Sequence, residues 1–136
     1  MSELNKIALK ILSNGKGILA ADESNGTMTK RLESVEIQST PKNRLLFRET
    51  LFKADSMRDC IGGVILYDET INQRSNDGKT VPSMILETGA LPGIKVDTGA
   101  KDLANSLNEK ITEGLDGLRE RLKKYYELGA RFTKWR

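Results

Sequence analysis

Histidine is absent from the 136 residues, and Cys60 is the only cysteine. Without imidazole there is no Ser-His-Asp or Cys-His pair, no His-based zinc site and no imidazole general base. Any catalysis has to run on carboxylates, lysines, arginines or hydroxyls. One cysteine makes no internal disulfide, and the apolar stretch around Cys60 reads as a buried, reduced thiol of a cytosolic protein rather than a nucleophile. Aromatic residues make up 5% of the chain, and no apolar run approaches the roughly 18 residues of a membrane span. The N-terminus has no signal-peptide pattern, so a cytoplasmic location is expected. A net charge of +3, with acids and bases intermixed, is too small for a nucleic-acid surface. Finally, no Gly-x-Gly-x-x-Gly follows a strand and no phosphate-loop motif occurs, so the common open-sheet nucleotide folds lack their signature.

What is present reads as one α/β domain over residues 1–136. Leu4, Ile7, Ala8, Ile11 and Leu12 recur at helical spacing, and Asn14-Gly15 gives a C-terminal stop. Ile18-Leu19-Ala20-Ala21 is a first strand ending at Asp22. A helix follows to about Val35, with Lys30 and Arg31 expected near its start. Thr40-Pro41 caps another, whose apolar side is Leu45, Leu46, Leu51 and Phe52 up to about Ala54. Ile61 to Tyr67 is nearly all apolar, as in a strand covered on both faces. Residues 70–92 hold an Asn76-Asp77-Gly78 turn signal and a short apolar stretch around Met84. Gly93 to Asp97 is a third strand, while residues 98–114 show no convincing period. Leu115, Leu118, Leu122 and Tyr125 mark a last helix, and Ala130 to Thr133 a fourth strand.

Strands separated by helices lie parallel, and four of them fit a small open sheet or half of an eight-stranded barrel. The missing nucleotide motifs favour the half barrel. So does the fourth strand, which ends the chain with nothing to cover it and suggests truncation. Each strand runs into charge: Asp22, Asp68-Glu69, Lys95-Val96-Asp97 and Lys134-Trp135-Arg136. Residues two apart on a strand share a face, so Lys95 goes with Asp97, and Lys134 with Arg136. With Asp22, Lys95 and Lys134 inward, Trp135 faces the surrounding helices. Placing Lys134 and Arg136 close together on the inner face requires a bound anion or carboxylate partners, and Asp22, Asp97 and Glu69 can supply part of that compensation. Taken singly, each charge reads as a solvated loop boundary. Taken together, they suit an anionic, phosphorylated substrate with a carboxylate available for proton transfer.

The residues also carry a resemblance. Gly15 to Ser24 and Cys60 to Thr70 closely resemble the first two strands of class I fructose-1,6-bisphosphate aldolase. Gly93 to Asp97, Gly114 to Leu118 and Lys134-Trp135-Arg136 follow in the same order at compatible distances. The matches span nearly the whole chain but only the N-terminal half of that family's barrel.

The resemblance implies a (β/α)8 TIM barrel, of which this chain carries about the first four strands. It implies cleavage of fructose 1,6-bisphosphate into dihydroxyacetone phosphate and glyceraldehyde 3-phosphate, in glycolysis and gluconeogenesis. A lysine Schiff base serves as electron sink, with no metal and no cofactor. The implied partner is the sugar bisphosphate, and the complete protein would be a homo-oligomer with no nucleic-acid or membrane partner. Position by position, Asp22 matches the aspartate that handles the C4 hydroxyl, and Lys134 the lysine that stabilises charge and orients carboxylates. Lys95 matches a lysine of the same cavity and Arg31 a phosphate-contacting arginine, while Thr27 stands where many members have serine. Arg44 and Arg136 align with basic residues near the site. The Schiff-base lysine and general-base glutamate belong to later strands, so the fragment alone is expected to be inactive. Asp68 stands where animal members carry histidine. The alternative reading is a catalytically inactive aldolase-like fragment that acts as a binding or scaffold module.

Overall fold

A computed structural model of the chain describes residues 2–136. The opening helix α1 (Glu3–Leu12) ends in a 3-10 turn where Asn14 and Gly15 both take positive φ, 57° and 72°, reversing the chain into β1 (Gly17–Ala21). Then come α2 (Asn25–Glu33), α3 (Pro41–Phe52), α4 (Met57–Cys60) and β2 (Ile61–Leu66). The remainder is α5 (Asp68–Ile71), α6 (Val81–Glu87), β3 (Leu91–Lys95), β4 (Gly99–Asp102), β5 (Lys110–Glu113), α7 (Leu118–Glu127) and β6 (Phe132–Lys134). Among the described residues, no helix is long and apolar enough to cross a membrane.

Four strands form one sheet in the order β1-β2-β3-β6, every pair parallel. This is the partial barrel expected: helical crossovers turn the chain the same way each time, so successive strands add along one edge. The outward face carries Ala21, Val64, Leu66, Ile94 and Val96, which join Leu45 and Phe52 of α3, Ile85 of α6 and Tyr125 of α7 in the apolar core. On the other face, Phe132 lies over Gly63 and Gly93, where an added Cβ would come within 3.0 Å and 2.4 Å of its ring. Those glycines make room for an aromatic ring inside the barrel wall.

Several sequence expectations shift. β3 begins at Leu91, two residues earlier than expected, because Pro92 joins the ladder through its carbonyl, which accepts the Arg131 N–H at 2.8 Å. β6 starts two residues later than Ala130, at Phe132. Lys30 and Arg31 lie in the last turn of α2, not near its start, because Ser24 caps that helix and Asn25 begins it. Cys60 is exposed rather than buried, since it ends the short α4 just before β2 dips into the core. Trp135 is 40% exposed, only partly covered. Leu46 is exposed, and the inner side of α3 is instead Arg44, Leu45, Arg48, Glu49 and Phe52. The polar stretch without a period is an antiparallel hairpin, β4 with β5, whose side chains are mostly exposed.

Candidate active site

Parallel pairing brings the C-terminal ends of all four sheet strands to one rim. Lys95 and Lys134 are register partners at the ends of β3 and β6, and Ala21 pairs with Leu66 at the ends of β1 and β2. Asp22 and Tyr67 therefore emerge side by side. The Lys134 Nζ donates to the Asp22 Oδ2, a contact between the first strand and the last, 112 residues apart in sequence. Beside it the Lys95 Nζ donates to the Asp97 carboxylate at 2.7 Å and to the Asp97 carbonyl at 3.0 Å.

The Asp97 side chain is fully buried and also accepts the Gly99 N–H at 3.1 Å and the Arg136 N–H at 3.2 Å. Burial alone would raise its pKa. The Lys95 ammonium and the two backbone N–H groups outweigh that and hold the carboxyl below the usual carboxylate range. Of the three carboxylates expected to compensate Lys134 and Arg136, Asp22 takes the Lys134 ammonium, while Asp97 pairs with Lys95 and meets Arg136 only through its backbone N–H. Glu69 goes elsewhere.

Asp22, Thr27, Lys95, Lys134 and Arg136 all line one cavity of about 410 Å³ at this rim. Glu23, Ser24, Tyr67 and Asp97 share its walls. Ser24 caps α2 by accepting the Thr27 N–H at 3.4 Å, so the electropositive start of that helix opens on the cavity. Cations, a helix N-terminus and the carboxylates of Asp22, Glu23 and Asp97 around one polar space suit a phosphorylated ligand and a proton transfer.

Arg31 and Arg44 are not among the cavity walls. The Arg31 side chain is 54% exposed and its guanidinium lies 2.5 Å from the carboxylate of Glu23, which does line the cavity. Arg44 is buried and forks onto Glu69, with Nε to Oε2 at 2.8 Å and Nη2 to Oε1 at 2.5 Å. That hydrogen-bonded fork holds Glu69 below the usual carboxylate range against the opposing effect of burial, and raises the pKa of Arg44 itself. Another Arg44 nitrogen reaches the Ser39 carbonyl at 2.8 Å.

Sequence reading passed over Arg48. It is wholly buried, with Nε donating to the Ala21 carbonyl at 3.0 Å and Nη2 to the Glu23 carbonyl at 2.6 Å. Burial lowers its pKa, with Glu23 the largest opposing influence. Its signal was the i, i+4 spacing with Arg44 on the side of α3 that carries Leu45 and Phe52. A search for apolar periodicity skips such a residue. Tyr67 was likewise read as the end of a strand rather than as a wall. Among the described residues, no group of three or more His, Cys, Asp or Glu side chains could hold a metal ion.

Residues 3–136 match the family model for class I fructose-bisphosphate aldolase. A fructose-bisphosphate aldolase of Schistosoma mansoni is 49% identical over 136 residues, 99% of this chain and 38% of that protein. A cytosolic fructose-bisphosphate aldolase of Arabidopsis thaliana is 52% identical over 134 residues, 98% of this chain and 37% of its own length. Among solved structures, the Plasmodium falciparum aldolase, crystallised with TRAP and a small-molecule inhibitor, superposes with a TM-score of 0.94 at 43% identity. That match covers 98% of this chain and 39% of the other. The chain thus spans well under half the length of the relatives it matches, and its four-stranded sheet corresponds to part of their barrel. On the family match and on this shared fold, the chain belongs to the class I fructose-bisphosphate aldolase family.

Proposed function

We propose that this chain supplies one side of the active site of an enzyme that cleaves fructose 1,6-bisphosphate reversibly to dihydroxyacetone phosphate and glyceraldehyde 3-phosphate. The observation that carries the reading is the Asp22–Lys134 hydrogen bond beside the Lys95–Asp97 pair on the rim of one cavity. It joins a proton acceptor to a cation where α/β barrels place their chemistry. A lysine outside this chain forms the Schiff base with the substrate ketone and draws the electrons of the breaking C3–C4 bond. Asp22 takes the C4 hydroxyl proton. Lys134 holds that carboxylate in place and stabilises charge as it develops, and Lys95 contributes a second cation to the same cavity. Thr27 and Arg136 bind substrate from the cavity wall. Arg31 reaches a phosphate by leaving Glu23, and Arg44 supports the rim through Glu69. The complete protein works in the cytoplasm as a homo-oligomer.

The test joins residues 1–136 to the C-terminal remainder of the Arabidopsis relative and assays bisphosphate cleavage. Borohydride trapping with dihydroxyacetone phosphate locates the covalent lysine. The joined protein is expected to cleave and to trap outside residues 1–136, while the 136-residue chain alone does neither. A trapped adduct on a lysine of this chain, accompanied by cleavage, would overturn the reading. An inert joined protein that folds would favour the alternative, a catalytically inactive binding or scaffold module.

A further inference from the structure

Asp22 sits in an awkward place. The paired register of β1 with β2 ends at Ala21, and α2 begins only at Asn25. Residues 22–24 bridge the two, yet a carboxylate used for proton transfer has to be placed to a fraction of an ångström. Arg48 reaches this link from α3, a 12-residue helix with Thr40 as N-cap and Leu45 and Phe52 in the core. Its guanidinium takes the carbonyl before Asp22 with one nitrogen and the carbonyl after it with another. The Glu23 carboxylate lies 3.6 Å from the same guanidinium.

A fully buried guanidinium is a poor choice for stability alone, because an apolar side chain of similar size would fill the space without desolvating a charge. What an apolar side chain lacks is a rigid planar fork able to hold two carbonyls at a set separation. One helical turn earlier, Arg44 forks onto Glu69 near the end of β2. The same helix therefore ties down two neighbouring strand ends.

We propose that Arg48 is a positioning residue of the site: by bridging the Ala21 and Glu23 carbonyls it fixes the backbone on both sides of Asp22 and sets where that carboxylate meets Lys134. The kinetic side of the proposal rests on the functional reading above, whereas its structural side does not.

Two variants of the joined protein test it. Arg48→Lys keeps the charge and the approximate length but loses the fork. Its kcat is expected to fall roughly 100-fold, the scale of a misplacement of about 1 Å, with KM nearly unchanged. Arg48→Ala should regain part of its lost kcat when guanidinium is added at non-denaturing concentration, which a purely structural defect would not show. A crystal structure of Arg48→Lys should show the Asp22–Lys134 hydrogen bond broken while the sheet superposes. A kcat close to that of the unsubstituted protein, absent guanidinium rescue, or an intact Asp22–Lys134 contact in the crystal would each overturn the proposal. Should the unsubstituted joined protein fail to cleave substrate, the functional reading falls, and the crystal structure still decides the role of Arg48.

Discussion

The two ends of the sheet are built from different materials. At the rim, lysines and carboxylates pair, Lys134 with Asp22 across the sheet and Lys95 with Asp97 on one strand end, the latter two almost wholly withdrawn from water. At the opposite end, small residues let other groups approach closely. A Cβ on Gly62, the second residue of β2, would lie 1.8 Å from the Ile11 carbonyl oxygen. The same strands serve both ends, so paired buried charge at the rim and close backbone packing at the far end share one fold. Conserving stability at one end and chemistry at the other is the usual division of labour in α/β barrels.

Substitutions at the two ends should therefore separate activity from stability. The largest effect belongs to the rim. In the joined protein, Asp22→Asn keeps the size of the side chain but removes the carboxylate proposed to accept the proton, and kcat should fall roughly 100- to 10,000-fold. Its urea midpoint should move little, because Lys134 remains partly solvated, with a third of its side chain exposed. Steady-state kinetics beside a urea titration reads both, and near-normal turnover would remove Asp22 from the chemistry.

At the far end the pattern reverses. Gly62→Ala pushes a methyl into backbone rather than into a movable side chain, and overpacking of this kind destabilises by about 1–3 kcal/mol. The urea midpoint should drop while kcat per folded molecule holds. An unchanged midpoint would mean that α1 is not seated against β2 as described.

Acid sharpens the comparison further. Glu69 and Asp97 both have folded pKa values below the ordinary carboxylate range. A depressed folded pKa contributes stability that is complete above the unfolded value, about 4, and is lost as pH falls through the folded value. Unfolding free energy should decline as pH is lowered below about 4, and Glu69→Gln with Asp97→Asn should flatten that decline. If the double variant keeps the slope of the parent, other carboxylates carry it.

The smallest effect expected lies on the helix side. Burial, then the hydrogen bond to Asp68 at 2.9 Å, push the Tyr125 phenol up to about 12. A raised folded pKa means its contribution is complete below the unfolded value and disappears as pH rises through the folded one. Tyr125→Phe should cost about 1 kcal/mol near neutral pH. The difference between variant and parent should shrink as the solution is made strongly alkaline, as denaturant titrations at several pH values would reveal.

Much of this is legible in the sequence, and what is not has identifiable causes. The parallel strands and their charged ends followed from apolar runs such as Ile61 to Tyr67, interrupted at Asp22, Lys95 and Lys134. The hairpin β4–β5 escaped because its strands, Gly-Ala-Lys-Asp and Lys-Ile-Thr-Glu, bury no consistent face, so they carry no period of two. α6 escaped because seven residues hold under two helical turns, although Thr80 and Pro82 at its start were a cap in plain view. Cys60 was misjudged from its apolar neighbours. Burial belongs to the direction a side chain takes, and a residue at a helix–strand junction can point outward beside an apolar run.

Sequence by itself determined the strand parity, and hence that Lys95 shares a face with Asp97 and Lys134 with Arg136, because alternation along a strand is local geometry. It also determined the family, through the residues around Asp22 and Tyr67. Only the tertiary structure decided which carboxylate each cation meets. Lys134 takes Asp22 from the far edge of the sheet, Arg44 takes Glu69, and Arg48 is drawn under β1 to hold two carbonyls. Such partners lie many residues apart, and their choice depends on strand order and on which helix packs beneath which strand end.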